Sequence, residues 1–207
     1  MGPHEHNDLS HRVKAWVDLG KRELNDCQEF HRRIHDLTWQ SKHQSTWRPL
    51  ILALMTFLNR PADKHSRLDY QRHRWGALDG ETCVIELSGL ASPSMKEAKD
   101  TRRFLLERTG IISRRMLDHR PKLVVMYGRE QRPSWNAIAS SFAESEFPPD
   151  CTELDQLPRT NILEHESTIL VCTPHPSRPI WNGVQWLGDE YWKRLGKMLA
   201  GGAPFGS

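Results

Sequence analysis

Two short apolar runs constrain the fold of this chain most strongly. Residues 122–127 read KLVVMY and residues 168–173 read TILVCT. Nearly continuous apolar runs of this length are typical of strands buried on both faces, as in a parallel sheet covered by helices. The first run is closed by the glycine-containing residues 128–129, and the second leads directly into the sequence PHPS at residues 174–177.

Other elements alternate with these two runs. Residues 82–87 (TCVIEL) are predicted to form another strand, and residues 13–19 (VKAWVDL) have strand-like content, although the same letters could begin a helix. Apolar spacing, capping residues and stop signals predict helices at residues 23–37, 47–58, 94–108, 112–119, 134–144 and 190–200. We therefore predict an α/β protein, a three-layer α/β/α sandwich around a short, mostly parallel four-stranded sheet.

The length of 207 residues predicts a single domain. We expect it to span residues 11–200, between a disordered, histidine-rich tail at 1–10 and a flexible tail at 201–207. The longest apolar run, residues 50–58, is about half of a membrane span, and residues 1–10 lack the apolar core of a signal peptide. We therefore expect no membrane association and a cytoplasmic or nucleoid-associated location.

The four cysteines are Cys27, Cys83, Cys151 and Cys172. They are too widely scattered to form a Cys-x-x-Cys pair, and we interpret them as reduced thiols. We expect no metal and no cofactor. The alternative is a zinc site or an iron–sulfur cluster assembled from distant cysteines.

The net charge of +3 conceals a division of charge along the sequence. Residues 102–132 contain nine basic and three acidic residues, whereas residues 136–170 contain seven acidic residues and one base. Two explanations stay open: two solvated surfaces that offset one another, or a basic surface for phosphates beside an acidic surface that avoids them.

The loops after the predicted strands are the place to look for function. In open α/β sheets, the ligand crevice lies beyond the carboxyl ends of the strands. The loops at residues 20–23, 88–89, 128–129 and 174–177 are therefore expected to meet along one edge of the sheet.

A buried strand, a His-Pro-Ser loop and one last amphipathic helix together resemble the uracil-DNA glycosylase superfamily. The second active-site motif of that superfamily is a His-Pro-Ser loop after the last core strand. KLVVMYG is similar to its preceding strand–glycine step, TCVIEL to the strand whose end helps select the base, and VKAWVDLG to its first strand and glycine. The resemblance covers residues 13–199 and is one of pattern and order.

The resemblance implies roles for the loop after the last strand. His175 corresponds to the histidine that hydrogen-bonds the uracil O2, where a fixed donor stabilises the charge of the departing base. Pro176 and Ser177 would stiffen the loop and contact backbone phosphate, and Arg178 could enter the groove of the DNA. The alternative is that His175 only satisfies a local carbonyl group.

The first motif departs from the superfamily pattern. Gly20 is followed by Lys21, Arg22 and Glu23, so the carboxylate that directly follows in this motif lies one position beyond its expected place. Phe30 lies roughly where the superfamily places the aromatic that stacks on the flipped base. The alternatives are that Glu23 favours a helix N-terminus and that Phe30 is a core residue of the predicted helix.

The base pocket predicted from the resemblance also includes Glu86 and Ser88. Uracil-specific members hold an asparagine near the position of Glu86, and an ionised glutamate can only accept hydrogen bonds. Glu86 would therefore suit a base with an exocyclic amine, unless it is paired with an arginine.

We expect DNA, single- or double-stranded, to be the partner of a monomeric protein, held through phosphates by Arg129 and Arg132 beside the loop residues. The expected activity is a monofunctional DNA glycosylase of base excision repair, which flips out a damaged, deaminated base and hydrolyses its N-glycosidic bond. A catalytically inactive nucleic-acid-binding member of the same fold is one alternative. A small-molecule nucleotide-binding enzyme of flavodoxin-like topology is another, although no Gly-x-Gly-x-x-Gly or Walker-type loop is present.

Overall fold

The computed structural model of the chain describes residues 17–18, 44–77, 79–85, 87, 101–128, 131–148, 157, 159–177 and 188–201. Packing divides the chain into two compact units. One takes in Met1–Ile51 and Pro61–Lys99, and the other takes in Leu52–Arg60 and Asp100–Ser207. Helix α1 (Trp47–Phe57) contributes its first turn to one unit and the rest of its length to the other.

The first unit contains the start of α1 and a polar helix, α2 (Lys64–His73). Asp63 caps α2, because its carboxylate accepts hydrogen bonds from the backbone amides of His65 and Ser66 at 2.9 and 3.1 Å. The amide oxygen of the fully buried Gln71 accepts a hydrogen bond from the backbone of Gln44 at 3.0 Å. This helix was not predicted from the sequence, because its buried positions include the polar residues Arg67 and Gln71 rather than an apolar stripe.

Residues 82–85 and 87, the described part of one predicted strand, have no regular secondary structure. The hydroxyl of Thr82 instead accepts a hydrogen bond from the amide of Gly76 at 2.8 Å and lies 3.3 Å from the carbonyl of Arg74. The segment therefore closes a turn after α2, and the strand prediction is wrong over these residues. Val17 and Asp18 are helical, so the helical alternative holds for the two described residues of 13–19.

The second unit is built on a three-stranded mixed sheet. Its strands are β1 (Leu123–Tyr127), β2 (Asn161–His165) and β3 (Thr168–Thr173), in the order β1-β3-β2. β1 runs parallel to β3, and β2 pairs antiparallel with β3 through a two-residue turn. The protein is therefore an α/β protein, and the strands predicted at 122–127 and 168–173 are confirmed.

The helices of the second unit are α3 (Thr101–His119), α4 (Arg132–Ala143) and α5 (Asp189–Ala200). α4 and α5 confirm the helices predicted there. α3 is continuous where the sequence predicted a break at Gly110, since this glycine lies within the helix and not at its end. The core lies around β3, where Leu170 and Val171 are fully buried.

The last helix is held close to the second part of α1 at Gly196. A β-carbon at this position would lie 2.4 Å from the carbonyl oxygen of Ala53 and 2.7 Å from the β-carbon of Thr56. Only glycine permits this approach, since real β-carbons do not come so close to other heavy atoms. Near its amino end, α5 reaches the residue before β2 through the hydrogen bond between Tyr191 and Thr160.

Two edges of the sheet follow from this topology. At the carboxyl edge, β1 ends at Tyr127, β3 ends at Thr173 and the antiparallel β2 begins at Asn161. At the amino edge, β1 and β3 begin and β2 ends at His165.

Candidate functional site

The loop after the central strand β3 lies at the carboxyl edge. Thr173 and Pro174 are buried, His175 and Ser177 are half-buried, and Pro176 is buried between them. The two prolines fix their φ angles near −65°, which limits the shapes that this loop can take. A histidine is thus held at the edge of the sheet with part of its ring accessible.

His175 is oriented by the residue two positions along the chain. Its Nδ1 lies 3.2 Å from the backbone nitrogen of Ser177, which donates a hydrogen bond, and 3.2 Å from the Ser177 Oγ. A backbone N–H can only donate, so Nδ1 must carry a lone pair and the proton of the neutral ring must be on Nε2. The loop therefore presents Nε2 as a hydrogen-bond donor.

The end of the neighbouring strand β1 contacts the same imidazole. The ring centroid of Tyr127 lies 5.3 Å from that of His175, with an angle of 86° between the planes. This is the edge-to-face arrangement that aromatic rings prefer. Tyr127 and Thr173 are also register partners, so the contact forms between the ends of two paired strands.

Gly128 connects β1 to the helix that follows it. Its φ is 94°, a left-handed conformation that favours glycine, and its amide donates to the Thr173 carbonyl at 3.0 Å. The indole N–H of the buried Trp135 donates to the Gly128 carbonyl at 3.0 Å. Both backbone groups of this glycine are thus satisfied, and the turn is tied to β3 and to α4.

Arg132 begins α4 at the same edge and binds within the protein. Its Nη1 donates to the Asn161 Oδ1 at 3.2 Å and its Nη2 donates to the Pro148 carbonyl at 2.6 Å. Asn161, which is buried, donates to the same carbonyl at 3.2 Å. These bonds join the start of α4 to the start of β2. The Arg132 guanidinium, which was predicted to hold phosphate, therefore links two elements of the fold.

A second polar pair closes the carboxyl edge beside β2. The hydroxyls of Thr160 and Tyr191 are 2.5 Å apart and buried, and either of them can donate. Burial raises the pKa of the Tyr191 phenol well above its usual range, although the hydrogen bond with Thr160 acts in the opposite direction. Tyr191 is therefore neutral over the physiological range, and it anchors α5 to the segment that enters β2.

The structure brings together part of the predicted site. His175, Pro176 and Ser177 form one loop at the carboxyl edge, and Arg132 lies at that edge in another cluster. The other predicted site residues lie outside the described residues: Gly20, Glu23, Phe30, Glu86, Ser88, Arg129 and Arg178. Tyr127 was missed by sequence analysis, although its place as the last residue of a buried strand before a glycine marks it for the site edge.

The basic segment 102–132 is divided between the two edges. Arg120 and Lys122 directly precede β1, which places them at the amino edge, opposite His175. The guanidinium of Arg120 lies 2.6 Å from the carboxylate of Glu166 in an exposed ion pair. Basic and acidic segments thus meet at the amino edge through this ion pair.

Two cysteines fall within the described residues, Cys83 exposed and Cys172 buried, and neither forms a disulfide there. Across the described part of the chain, no cluster of three or more His, Cys, Asp or Glu side chains is arranged to hold a metal ion. A membrane span would need a longer apolar helix than any among these residues.

Comparison of the chain with models of protein families, with curated proteins and with solved structures finds no match.

Proposed function

We propose that this protein is a DNA glycosylase that binds DNA, flips out a deaminated base and hydrolyses its N-glycosidic bond. The observation that carries the proposal is the His175 loop. It follows the central strand at the carboxyl edge, and the hydrogen bond from Ser177 to Nδ1 makes Nε2 the donor.

A fixed donor is what the reaction requires at this point. When the N-glycosidic bond breaks, the base leaves with negative charge on its oxygen and nitrogen atoms. A preorganised N–H group stabilises that charge in the transition state without reorganisation of the protein. The neutral Nε2–H of His175 supplies such a group.

The fold that we propose is the three-layer sandwich of the uracil-DNA glycosylase superfamily. Support comes from the unit formed by β1, Gly128, α4 and β3, in which β1 and β3 are parallel neighbours. A last helix, α5, completes the order of elements. The antiparallel β2 departs from a mostly parallel sheet, and also from the flavodoxin-like alternative.

DNA binding would come from groups that follow the strand ends. The hydroxyl of the half-buried Ser177 is the described group that we assign to a phosphate, and Arg129 and Arg178 are proposed to add charge. Each phosphate neutralised contributes about −0.9 to the slope of log affinity against log salt. Because Arg132 binds Asn161 and Pro148, we expect its removal to act mainly through the fold.

Glu23 is proposed to orient the attacking water, as the resemblance implies. Replacement by glutamine would test this role, since glutamine keeps the size of the side chain and loses the carboxylate. A fall in the rate of base release with unchanged DNA affinity is the expected result.

The direct experiment uses the full chain, in excess over duplex and single-stranded oligonucleotides that contain uracil, hypoxanthine or xanthine. Abasic sites are detected by alkaline strand cleavage, with His175→Ala as the matched control. We expect release of at least one base by the wild-type protein and a loss of that release in the variant.

Absence of abasic sites on every substrate would overturn the catalytic proposal. Salt-dependent DNA binding that is insensitive to His175→Ala, without base release, would instead identify a nucleic-acid-binding protein of the same fold. Binding of free nucleotides without DNA binding would identify the small-molecule alternative.

A further inference from the structure

The aromatic contact between Tyr127 and His175 joins two strands at the proposed site. Tyr127 is the last residue of β1, and His175 lies two residues past the end of β3. Their centroids are 5.3 Å apart and their planes are nearly perpendicular. The two rings come from segments far apart in sequence, so only the folded sheet brings them together.

We propose that Tyr127 is a positioning residue that fixes the plane of the His175 imidazole; this inference rests on the proposed function. A histidine ring turns about two side-chain bonds. The hydrogen bond from Ser177 fixes where Nδ1 lies, but a bond to one ring atom does not by itself fix the tilt of the ring about that atom. A tyrosine ring at right angles to the imidazole removes this tilt, so that Nε2–H keeps one direction.

The position of Tyr127 is itself well defined. Its backbone belongs to the β1–β3 pairing, and the next residue, Gly128, donates to Thr173 and accepts from Trp135, both at 3.0 Å. The backbone that carries the ring is therefore fixed relative to β3 and to the start of the His175 loop. Rigid support of this kind is what a catalytic donor needs, because a displacement of about 1 Å can reduce a rate by about 100-fold.

The kinetic consequence is specific. Phosphate contacts govern DNA affinity, whereas the direction of Nε2–H matters only as charge develops on the leaving base. Loss of the Tyr127 ring should therefore lower the single-turnover rate of base release and leave the DNA dissociation constant nearly unchanged. The variants Tyr127→Leu and Tyr127→Phe separate the ring from the hydroxyl.

A matched control exists at the other edge of the sheet. Phe142 and His165 make a similar ring contact, with centroids 5.4 Å apart and an interplanar angle of 71°. Phe142→Leu removes that contact and is expected to lower stability while leaving the kinetics of folded protein unchanged. Thermal unfolding of every variant ensures that rates are compared on folded protein.

The first measurement is single-turnover base release together with DNA affinity. For Tyr127→Leu we expect a rate reduced on the order of tenfold or more, with DNA affinity within about threefold of wild type. Tyr127→Phe should keep the rate within about threefold. In the double variant with His175→Ala, the Tyr127 substitution should have no further effect, because the two residues act as one unit.

The second measurement does not depend on activity. The ring-proton chemical shifts of His175, followed by NMR in the folded full chain, should change in Tyr127→Leu because the neighbouring ring current is lost. They should stay close to wild type in Phe142→Leu. If the wild-type protein releases no base, the proposed function fails, whereas the NMR comparison still tests the positioning.

Three results would overturn the positioning role. The first is a Tyr127→Leu variant with wild-type rate and wild-type His175 shifts. The second is a loss in Tyr127→Phe as large as in Tyr127→Leu, which would assign the effect to the hydroxyl. The third is an equal effect of Phe142→Leu on the His175 shifts, which would show a general change of the sheet.

Discussion

The two edges of the sheet use polar groups in opposite ways. At the carboxyl edge, half-buried or buried groups are held by hydrogen bonds, within the loop in the Ser177–His175 pair and between elements in the Trp135–Gly128 and Thr160–Tyr191 pairs. At the amino edge, Arg120 and Glu166 form an ion pair in which both side chains are about half exposed. Burying a polar group costs free energy unless the group is hydrogen-bonded, whereas an exposed ion pair contributes little to stability. The buried, hydrogen-bonded groups of the carboxyl edge are therefore the ones that hold a precise geometry.

Two turns, one at each edge, also differ in the residue that takes a left-handed conformation. The turn after β1 at the carboxyl edge uses a glycine, Gly128 with φ of 94°, and is tied to β3 and Trp135. The amino edge places a glutamate, Glu166 with φ of 52°, in the turn between β2 and β3. Hairpin turns prefer glycine at such a position. The turn beside the His175 loop thus has glycine at its left-handed position, whereas the hairpin turn between β2 and β3 has a glutamate there.

The largest expected effect is a difference in the rate of base release between substitutions of two histidines, one at each edge. His175→Ala removes the proposed donor and should lower the single-turnover rate of base release by on the order of 10²–10³. His165→Ala removes a histidine at the amino edge and should leave the rate of the folded protein near wild type. Equal losses in both variants would contradict the assignment of the carboxyl edge.

The next effect concerns the buried hydroxyl pair. Tyr191→Phe leaves the fully buried hydroxyl of Thr160 without its partner and should destabilise the protein by about 1–3 kcal/mol, measured by denaturant unfolding. Addition of Thr160→Val removes both partners and should recover much of this loss. A double variant as unstable as the sum of the single variants would contradict the pairing.

This hydroxyl pair also predicts a pH dependence. Burial raises the pKa of Tyr191 in the folded state above its ordinary value of 10.0. The contribution of the neutral phenol to folding stability is therefore fully present below pH 10 and is lost as the pH rises above 10, because the phenol of the unfolded chain ionises first. The stability difference between wild type and Tyr191→Phe should therefore narrow above pH 10. A difference that stays constant to higher pH would show that Tyr191 ionises equally in both states.

A smaller effect tests the two left-handed positions. Gly128→Ala forces a side chain onto a φ of 94° and should cost about 1–2 kcal/mol of stability. Glu166→Gly relieves strain at its turn while removing an exposed ion pair, so its net change should be smaller and can favour the folded state. Equal destabilisation by both substitutions would contradict the comparison.

The smallest effect is expected at the exposed ion pair. Glu166→Gln keeps the size of the side chain and removes its charge, and it should change the free energy of unfolding by less than about 1 kcal/mol. The change should shrink further as salt is added, because exposed charges are screened. A large, salt-independent loss would show that the amino edge also holds a built polar site.

The elements predicted correctly from sequence are those with a clear apolar pattern or clear start and stop residues. β1, β3 and α1 are nearly continuous apolar runs, and α4 and α5 carry clear start or stop signals. β2 was missed because its sequence, NILEH, lies in an acidic, proline-rich segment and its turn lacks glycine. The prediction divided helix α3 at Gly110, because glycine commonly ends a helix, whereas here it lies inside one.

The candidate site was predictable only in part for a related physical reason. His175 and Ser177 are neighbours in sequence, so their loop could be found from a local pattern. The contacts of Tyr127 and Arg132 depend on which strands pair, and β2 was not foreseen. Which residue lies opposite another in a sheet depends on how the strands pair in the folded protein, and a single sequence gives little information about that pairing.

The most direct test of this account is the protonation of the His175 ring, read from its ¹⁵N chemical shifts in the folded protein at neutral pH. The account predicts a single neutral tautomer with the proton on Nε2 and an unprotonated Nδ1, and Ser177→Pro, which removes the donating backbone N–H, should abolish this preference. Rapid averaging between tautomers in the wild type, or a proton on Nδ1, would contradict the claim that the carboxyl edge holds His175 as a fixed hydrogen-bond donor.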